Sequence, residues 1–372
     1  KMKVSVVGGG NAAVFTASLL KWEGKEKNIE VELIYDPETT PERVGQATLL
    51  DPPRILWNTT GFDWYNNNMH ATFKSGILYE GWGKVNDTVF HNFPPDYMGM
   101  HYCPWEMQKH ILNSGFFKVV EDKIDDINSI DSDLIFDCRG KPDSFDEYDD
   151  LISPINACIL GKPNWDTTKA FWSRHVATPD GWTFIIPTHE DSPSHDYCVG
   201  YLYNNNITSK EDAEKNMSNM FDVSIKKNLN IRNYVAKNPI IDDRIILNGN
   251  RLFFLEPMEA SSVQLYIEMA IYFVNNGGVR GIGEAARSHI KEIQNFILWH
   301  YQFGSKYDTP FWDYAKTLTF SDPKFNYMLR NSREREMEDI RREISNKPKS
   351  YYAQWNPYAF KLWYDGMTKK EK

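Results

Sequence analysis

Runs and alternations of apolar residues divide the chain before any chemistry is considered. Lys3-Val4-Ser5-Val6-Val7 is an apolar run of strand length, followed by a glycine-rich turn and helical spacing through Leu20. Val31 to Tyr35 reads as a second strand, and Asp133-Leu134-Ile135-Phe136-Asp137-Cys138-Arg139-Gly140 as an apolar strand ending in Asp-x-x-Gly. His70 to Tyr79 reads as one strand, with Thr72, Lys74, Gly76 and Leu78 on the face opposite Phe73, Ile77 and Tyr79. On pattern alone, a lysine in that setting faces solvent. Gly181-Trp182-Thr183-Phe184-Ile185-Ile186-Pro187 puts Trp182, Phe184 and Ile186 on one face, the period-2 signature of a half-buried core strand. Pro187 to Tyr201 reads as a polar hairpin. Its His189 and His195 match no metal-ligand spacing and the other histidines are scattered, so no metal site is expected.

The second half is more helical. Val263 to Asn275 is a strongly apolar helix stopped by Asn276-Gly277-Gly278, with Ser261 or Ser262 as N-cap. Glu259 stands just before it, where a carboxylate complements the helix dipole. Glu292 to Tyr301 and Ser332 to Ser345 follow as helices. The latter has Met337, Ile340 and Ile344 on one stripe and a solvated Glu338–Arg342 pair. Tyr351 to Tyr364 holds seven aromatics in fourteen residues, a tail that docks on the body or makes a subunit contact in a homo-oligomer. There is no internal repeat.

Composition narrows the picture. The 372 residues suffice for one large core or two smaller ones. A net charge of −9 speaks against general affinity for nucleic acid or an anionic membrane. No run reaches the roughly 18 to 20 apolar residues of a membrane span. With a strand almost at the start, no signal peptide is expected, and a cytoplasmic location follows. Cys103, Cys138, Cys158 and Cys198 form no C-x-x-C pair and read as reduced, buried thiols. Aromatics reach 14%, with 12 Trp, enough to line a core or an aromatic-binding cavity.

The first candidate chemistry lies at Gly8-Gly9-Gly10-Asn11-Ala12-Ala13, a G-x-G-x-x-A loop between strand and helix. Gly8 permits the tight turn, Gly10 the approach of a pyrophosphate, and Ala13 close helix packing, with free N–H groups at the helix start. Asp36, at the end of the second strand, falls where a ribose-binding carboxylate is expected. These point to a dinucleotide site built into a doubly wound sheet.

Several segments together resemble the flavin-dependent tryptophan halogenase family. They are the glycine loop, Arg43-Val44-Gly45-Gln46-Ala47-Thr48, and Phe73-Lys74. Gly181 to Pro187 follows, similar to a W-x-W-x-I-P signature with Phe184 for the second Trp, and then Phe254-Leu255-Glu256-Pro257-Met258-Glu259, similar to F-x-E-P-x-E. Phe296 to Trp312 is similar to the family's later helical region. The resemblance covers roughly residues 3 to 315.

The resemblance implies an α/β chain (α+β overall) with a Rossmann-like FAD-binding domain of the flavin monooxygenase type. Its discontinuous FAD module would take residues 1–50, 100–150 and 240–285, and a sheet-rich substrate region 51–99 and 151–239. A helical, aromatic-rich part, 286–372, would pack on the substrate side. The implied activity is FADH2- and O2-dependent halogenation of an indole or phenol, in which a flavin hydroperoxide oxidises a halide ion to hypohalous acid. That acid would be steered to Lys74, with Glu259 as active-site carboxylate. Backbone groups at Ala260, Ser261 and Ser262 would border the halide. FAD would contact Gly8, Gly10, Asn11, Ala12, Ala13 and Asp36, the strap Val44, Gly45, Gln46, Ala47 and Thr48, and Trp182, Ile186, Pro187 and Leu255. Trp182, Phe184, Ile186 and Pro187 would wall the flavin from the substrate. No second nucleotide motif is evident, so a separate flavin reductase would supply reduced flavin. The rival readings are a flavin-dependent aromatic hydroxylase and a flavin-binding interaction module without catalysis. Departures from the family pattern are Phe184 for Trp, Gln46 for Glu, and the small residues at Ala260 and Ser262.

Overall fold

Continuous apolar runs form the centre of a six-stranded sheet, as expected for strands buried on both faces. A computed structural model describes residues 1–94, 97–346 and 351–370. The sheet runs in the order 240–241, 245–247, 134–137, 2–7, 29–35, 118–121, and every pairing is parallel except the 240–247 hairpin. The helix Asn11–Glu23 follows the first strand and packs on the helix Ser262–Asn276. The mixed α/β class expected from sequence is what the molecule shows.

A second, seven-stranded sheet holds the aromatic strand. Its order is 223–230, 157–163, 199–203, 181–185, 173–178, 76–80, 88–92, antiparallel except for the 173–178 and 76–80 pair. Gly181–Ile185 sits at its middle and is buried along its whole length. Phe184 faces Gly200 in register, and a Cβ at Gly200 would stand 2.1 Å from the Phe184 ring. A glycine is therefore required there for the ring to lie flat on its neighbour strand. Gly181–Ile185 and Val199–Tyr203 flank the segment expected as a polar hairpin, which carries only a 3₁₀ turn at His195–Tyr197.

The structure corrects two expectations from periodicity. His70 to Tyr79 is not one strand: Thr72–Lys74 and Gly76–Glu80 belong to different sheets, broken at Ser75. Gly76 has φ +155, and a Cβ there would meet the His91 carbonyl oxygen at 2.5 Å, so the chain turns at the residue that allows it. Thr72–Lys74 pairs instead with Gly99–Tyr102, which pairs with the strap residues Gln46–Ala47. Likewise the helix expected from Ser332 to Ser345 is two, Pro323–Arg333 and Met337–Asn346.

The aromatic tail docks on the body. After residues outside the described set (347–350), the helix Pro357–Thr368 lies against the strand Thr88–Asn92 and the helix Pro323–Arg333. Gly366 makes the close approach, since a Cβ there would be 2.4 Å from Val89. Four tryptophans, Trp82, Trp182, Trp312 and Trp363, are fully buried in the core, each contributing on the order of 2–3 kcal/mol of burial. Among the described residues no helix is long and apolar enough to cross a membrane.

Candidate active site

The candidate site is centred on Lys74. As the last residue of its short strand it is fully buried, against the solvent-facing expectation from its pattern. Its Nζ donates to the Thr48 carbonyl at 3.0 Å and lies 5.3 Å from the centre of the Phe93 ring. Burial pulls its pKa down to about 7, with the Glu259 carboxylate acting in the other direction. Thr48 is itself fixed to the neighbouring strand. Its N–H donates to the Met100 carbonyl at 2.9 Å, and its Oγ1 accepts from Met100 N at 3.0 Å.

Glu259 is reached from three directions. Its Oε1 accepts from Tyr79 Oη at 2.8 Å and faces His91 Nδ1 at 3.2 Å and His300 Nε2 at 2.5 Å. Burial alone would raise its pKa, but the two histidines bring it well below the carboxylate range. His300 stacks on Trp363, ring centres 4.1 Å apart, and Tyr79 meets the same indole at 4.7 Å. His175 and His101 are also buried nearby as neutral imidazoles, held so by burial. The histidines that look scattered in the sequence thus converge.

His91, Glu259 and His300 offer three ligand atoms within 4.8 Å of one another, the cluster with which a metal could be held. Two ligands of a single ion at about 2.1 Å stand ~3 Å apart at a right angle. The 2.5 Å separation of His300 and Glu259 is shorter than that and is a hydrogen bond.

Glu259 is the third residue of a tight turn that starts at Pro257. Ala260 adopts φ +53, its N–H donating to the Pro257 carbonyl at 3.1 Å, and the chain enters the helix at Ser262. Ser261 occupies the N-cap position, but no side chain caps the helix, which leaves its first-turn N–H groups for another acceptor.

The aromatic strand is pinned by a buried acid that sequence reasoning assigned no role. Trp182 Nε1 donates to Tyr301 Oη at 2.9 Å and to Glu256 Oε1 at 3.3 Å, and Tyr301 and Ser153 also donate to Glu256. Burial raises the Glu256 pKa to about 7, against the pull of these three donors. The Trp182 ring lies 4.5 Å from His175. At the far end of the strand, a Cβ on Gly45 of the strap would touch Ile186 and Thr188 at 3.4 and 3.3 Å.

The dinucleotide candidates gather on the first sheet. Gly8 has φ +136 and a Cβ there would stand 2.2 Å from the Cys138 carbonyl, so the loop crosses the Asp-x-x-Gly strand end in direct contact. A Cβ on Gly10 would meet nothing within 4 Å, so that face of the loop is open. Asn11 Oδ1, Tyr102 Oη and Gln264 Oε1 are buried without a hydrogen-bond partner. The orphaned Asn11 oxygen, next to the open Gly10, fits a bound dinucleotide, which would satisfy it. Ala12 and Ala13 are buried in the following helix, and Leu255 in the core. Asp36 follows the strand Ile29–Tyr35, and its oxygens accept from Glu38 N at 2.9 Å and Thr39 Oγ1 at 2.8 Å.

A family model described as tryptophan halogenase matches residues 3–114 and 119–356. Tryptophan 7-halogenase RebH of Lentzea aerocolonigenes is 22% identical over 214 residues, 52% of this chain. The matched stretch spans only 39% of that relative's length. A tryptophan halogenase structure from Shewanella frigidimarina NCIMB 400 superposes with TM-score 0.78 at 18% identity, covering 100% of this chain and 89% of that one. The flavin-dependent halogenase Xcc4156 from Xanthomonas campestris gives 0.78 at 16% identity, with 99% and 89% covered. Tryptophan 6-halogenase SttH from Streptomyces toxytricini gives 0.76 at 17%, with 99% and 91% covered. At such identities the structures share the fold.

Proposed function

The chain belongs to the tryptophan halogenase family, and from that premise we propose that it halogenates an electron-rich aromatic ring, an indole or a phenol, using FADH2, O2 and a halide ion. The observation that carries the reading is Lys74. It is a fully buried lysine with a pKa of about 7, beside the Phe93 ring and within electrostatic reach of Glu259. A lysine is rarely buried without a task, and burial of this kind tunes it for one.

Reduced FAD with O2 supplies the oxidising equivalent that converts halide to hypohalous acid. On this reading the glycine loop Gly8 to Ala13 and the strap Val44 to Thr48 would hold FAD, and the halide would sit by the backbone at Ala260, Ser261 and Ser262, where no side chain caps the helix. Lys74 receives the hypohalous acid. As ammonium it hydrogen-bonds the oxygen and leaves the halogen more electrophilic; as free amine it can take the halogen itself. With a pKa of about 7, both forms are populated at neutral pH. Glu259 orients the same species and accepts the proton lost when the ring becomes aromatic again. Trp182, Phe184, Ile186 and Pro187 keep the substrate away from the cofactor. Reduced flavin comes from a separate reductase, and the cytoplasm is the setting that suits such a partner.

The test is incubation with FADH2, O2, chloride or bromide, and a panel of indoles and phenols, read by mass spectrometry. Halogenated product is expected. Hydroxylated product formed without halide would replace this reading with that of an aromatic hydroxylase.

A further inference from the structure

The hydrogen bonds of His300 fix where one proton sits. Its Nδ1 lies 2.7 Å from the Phe296 carbonyl oxygen, one helical turn earlier. A carbonyl has no hydrogen to give, so Nδ1 carries one and donates it. Nε2 faces Oε1 of Glu259 at 2.5 Å. Two bare lone pairs do not approach so closely, so a second proton lies on that line. The pair therefore shares one proton in a short hydrogen bond, and the low pKa of Glu259 keeps its carboxyl in the carboxylate form. The same Oε1 accepts from Tyr79, while no hydrogen bond among the described residues reaches Oε2. One carboxylate oxygen is occupied by the protein and the other is left for the reaction.

We infer that His300 is a positioning residue for halogenation, holding Glu259 ionised and turned so that Oε2 meets the reacting species. The inference rests on the halogenase reading. In the step concerned, a ring carbon bonds the halogen as the O–X or N–X bond breaks, its electron pair leaving with oxygen or with Lys74. The ring then releases the proton on that carbon to Oε2 and regains aromaticity. A protonated arene is a strong acid, so a carboxylate weakened by a neighbouring cation still suffices, provided it is not already protonated. The low pKa of Glu259 accords with this. Around the pair stand Lys74, Tyr79, His91 and His175 from four different strands, Glu256 from the preceding turn, and Trp363 from the last helix.

Two experiments decide it. In the FAD-loaded enzyme with 15N-labelled histidine, one imidazole should be protonated on both nitrogens near neutral pH and lose that signal in His300→Gln. A His300 bearing one proton at that pH overturns the inference, as does zinc or iron copurifying stoichiometrically and lost in His91→Ala. These readouts need no turnover, so they stand even if the protein halogenates nothing. Second, in the pH profile of halogenation, His300→Gln should move the acid limb of kcat upward by about one pH unit or more, with the KM for the arene within about twofold of wild type. Equal loss at every pH, with the limb unmoved, would mean that His300 only supports the fold.

Discussion

Lys74 Nζ donates at 3.0 Å to the carbonyl of Thr48, the last residue of the strap. The buried lysine and the strap proposed to lie over the flavin thus share one small sheet and one hydrogen bond. Lys74→Ala should remove halogenation, by roughly 10²-fold or more, while FAD affinity changes little. Product by mass spectrometry and FAD titration by fluorescence check the two halves. Undiminished turnover would remove Lys74 from the mechanism.

Burial of Lys74 also costs stability in a defined pH window. Its pKa is about 7 folded against 10.5 unfolded. Between those values the unfolded chain binds the extra proton, so stability rises with pH across that range and is flat below about pH 7 on this account. The span is of the order of a few kcal/mol. Lys74→Met should be more stable than wild type at pH 7, and the difference should shrink by pH 9. Urea denaturation at the two pH values measures it.

Glu256 behaves in the opposite sense. Its pKa of about 7 lies above the ordinary 4.5, so the native state binds the extra proton between those values and stability falls as pH rises through them. Glu256→Gln keeps an acceptor for Trp182 and should abolish that fall. A slope that survives in Glu256→Gln would show that the carboxyl is not its source.

Gly200→Ala tests the wall. The added Cβ would stand 2.1 Å from Phe184, so the ring must leave the strand surface, at a cost of about 1–3 kcal/mol. Phe184→Ala opens the same gap without strain. Both variants should release more free hypohalous acid or peroxide per FADH2 consumed, scored with a dye that traps these oxidants. If neither does, the strand is a core element and no barrier.

Gly8→Ala should abolish FAD binding while the rest of the chain folds. The φ of +136 and the 2.2 Å approach to the Cys138 carbonyl leave no room for a methyl group. Retention of near-normal affinity would count against the loop as the cofactor cradle.

The first sheet is legible in the sequence because strands covered on both faces are continuous apolar runs, and Val4 to Val7 or Leu134 to Phe136 admit no other period. The break at Ser75 is not, because Phe73, Ile77 and Tyr79 keep one period-2 face across the change of sheet. Gly76 is the one local sign. Lys74 and Glu259 are singled out by a resemblance to known segments, whereas their setting is invisible in any window of sequence. His91 and His300 lie 168 and 41 residues from the carboxylate they face. Glu256 sits inside a quoted motif, yet its tie to Trp182 spans 74 residues and exists only after folding.

The docking of Trp363 against His300 has a consequence for the order in which this protein becomes itself. During synthesis the strands of the flavin-type sheet, all complete by Leu247, can pair early. The helix Pro357–Thr368 leaves the ribosome well after Leu247, and until it arrives His300 lacks the indole it packs on. A nascent chain stalled before Pro357 would carry a cofactor cradle and an open, wet lysine site. The Glu259–His300 pair would be enclosed only on the arrival of a single indole.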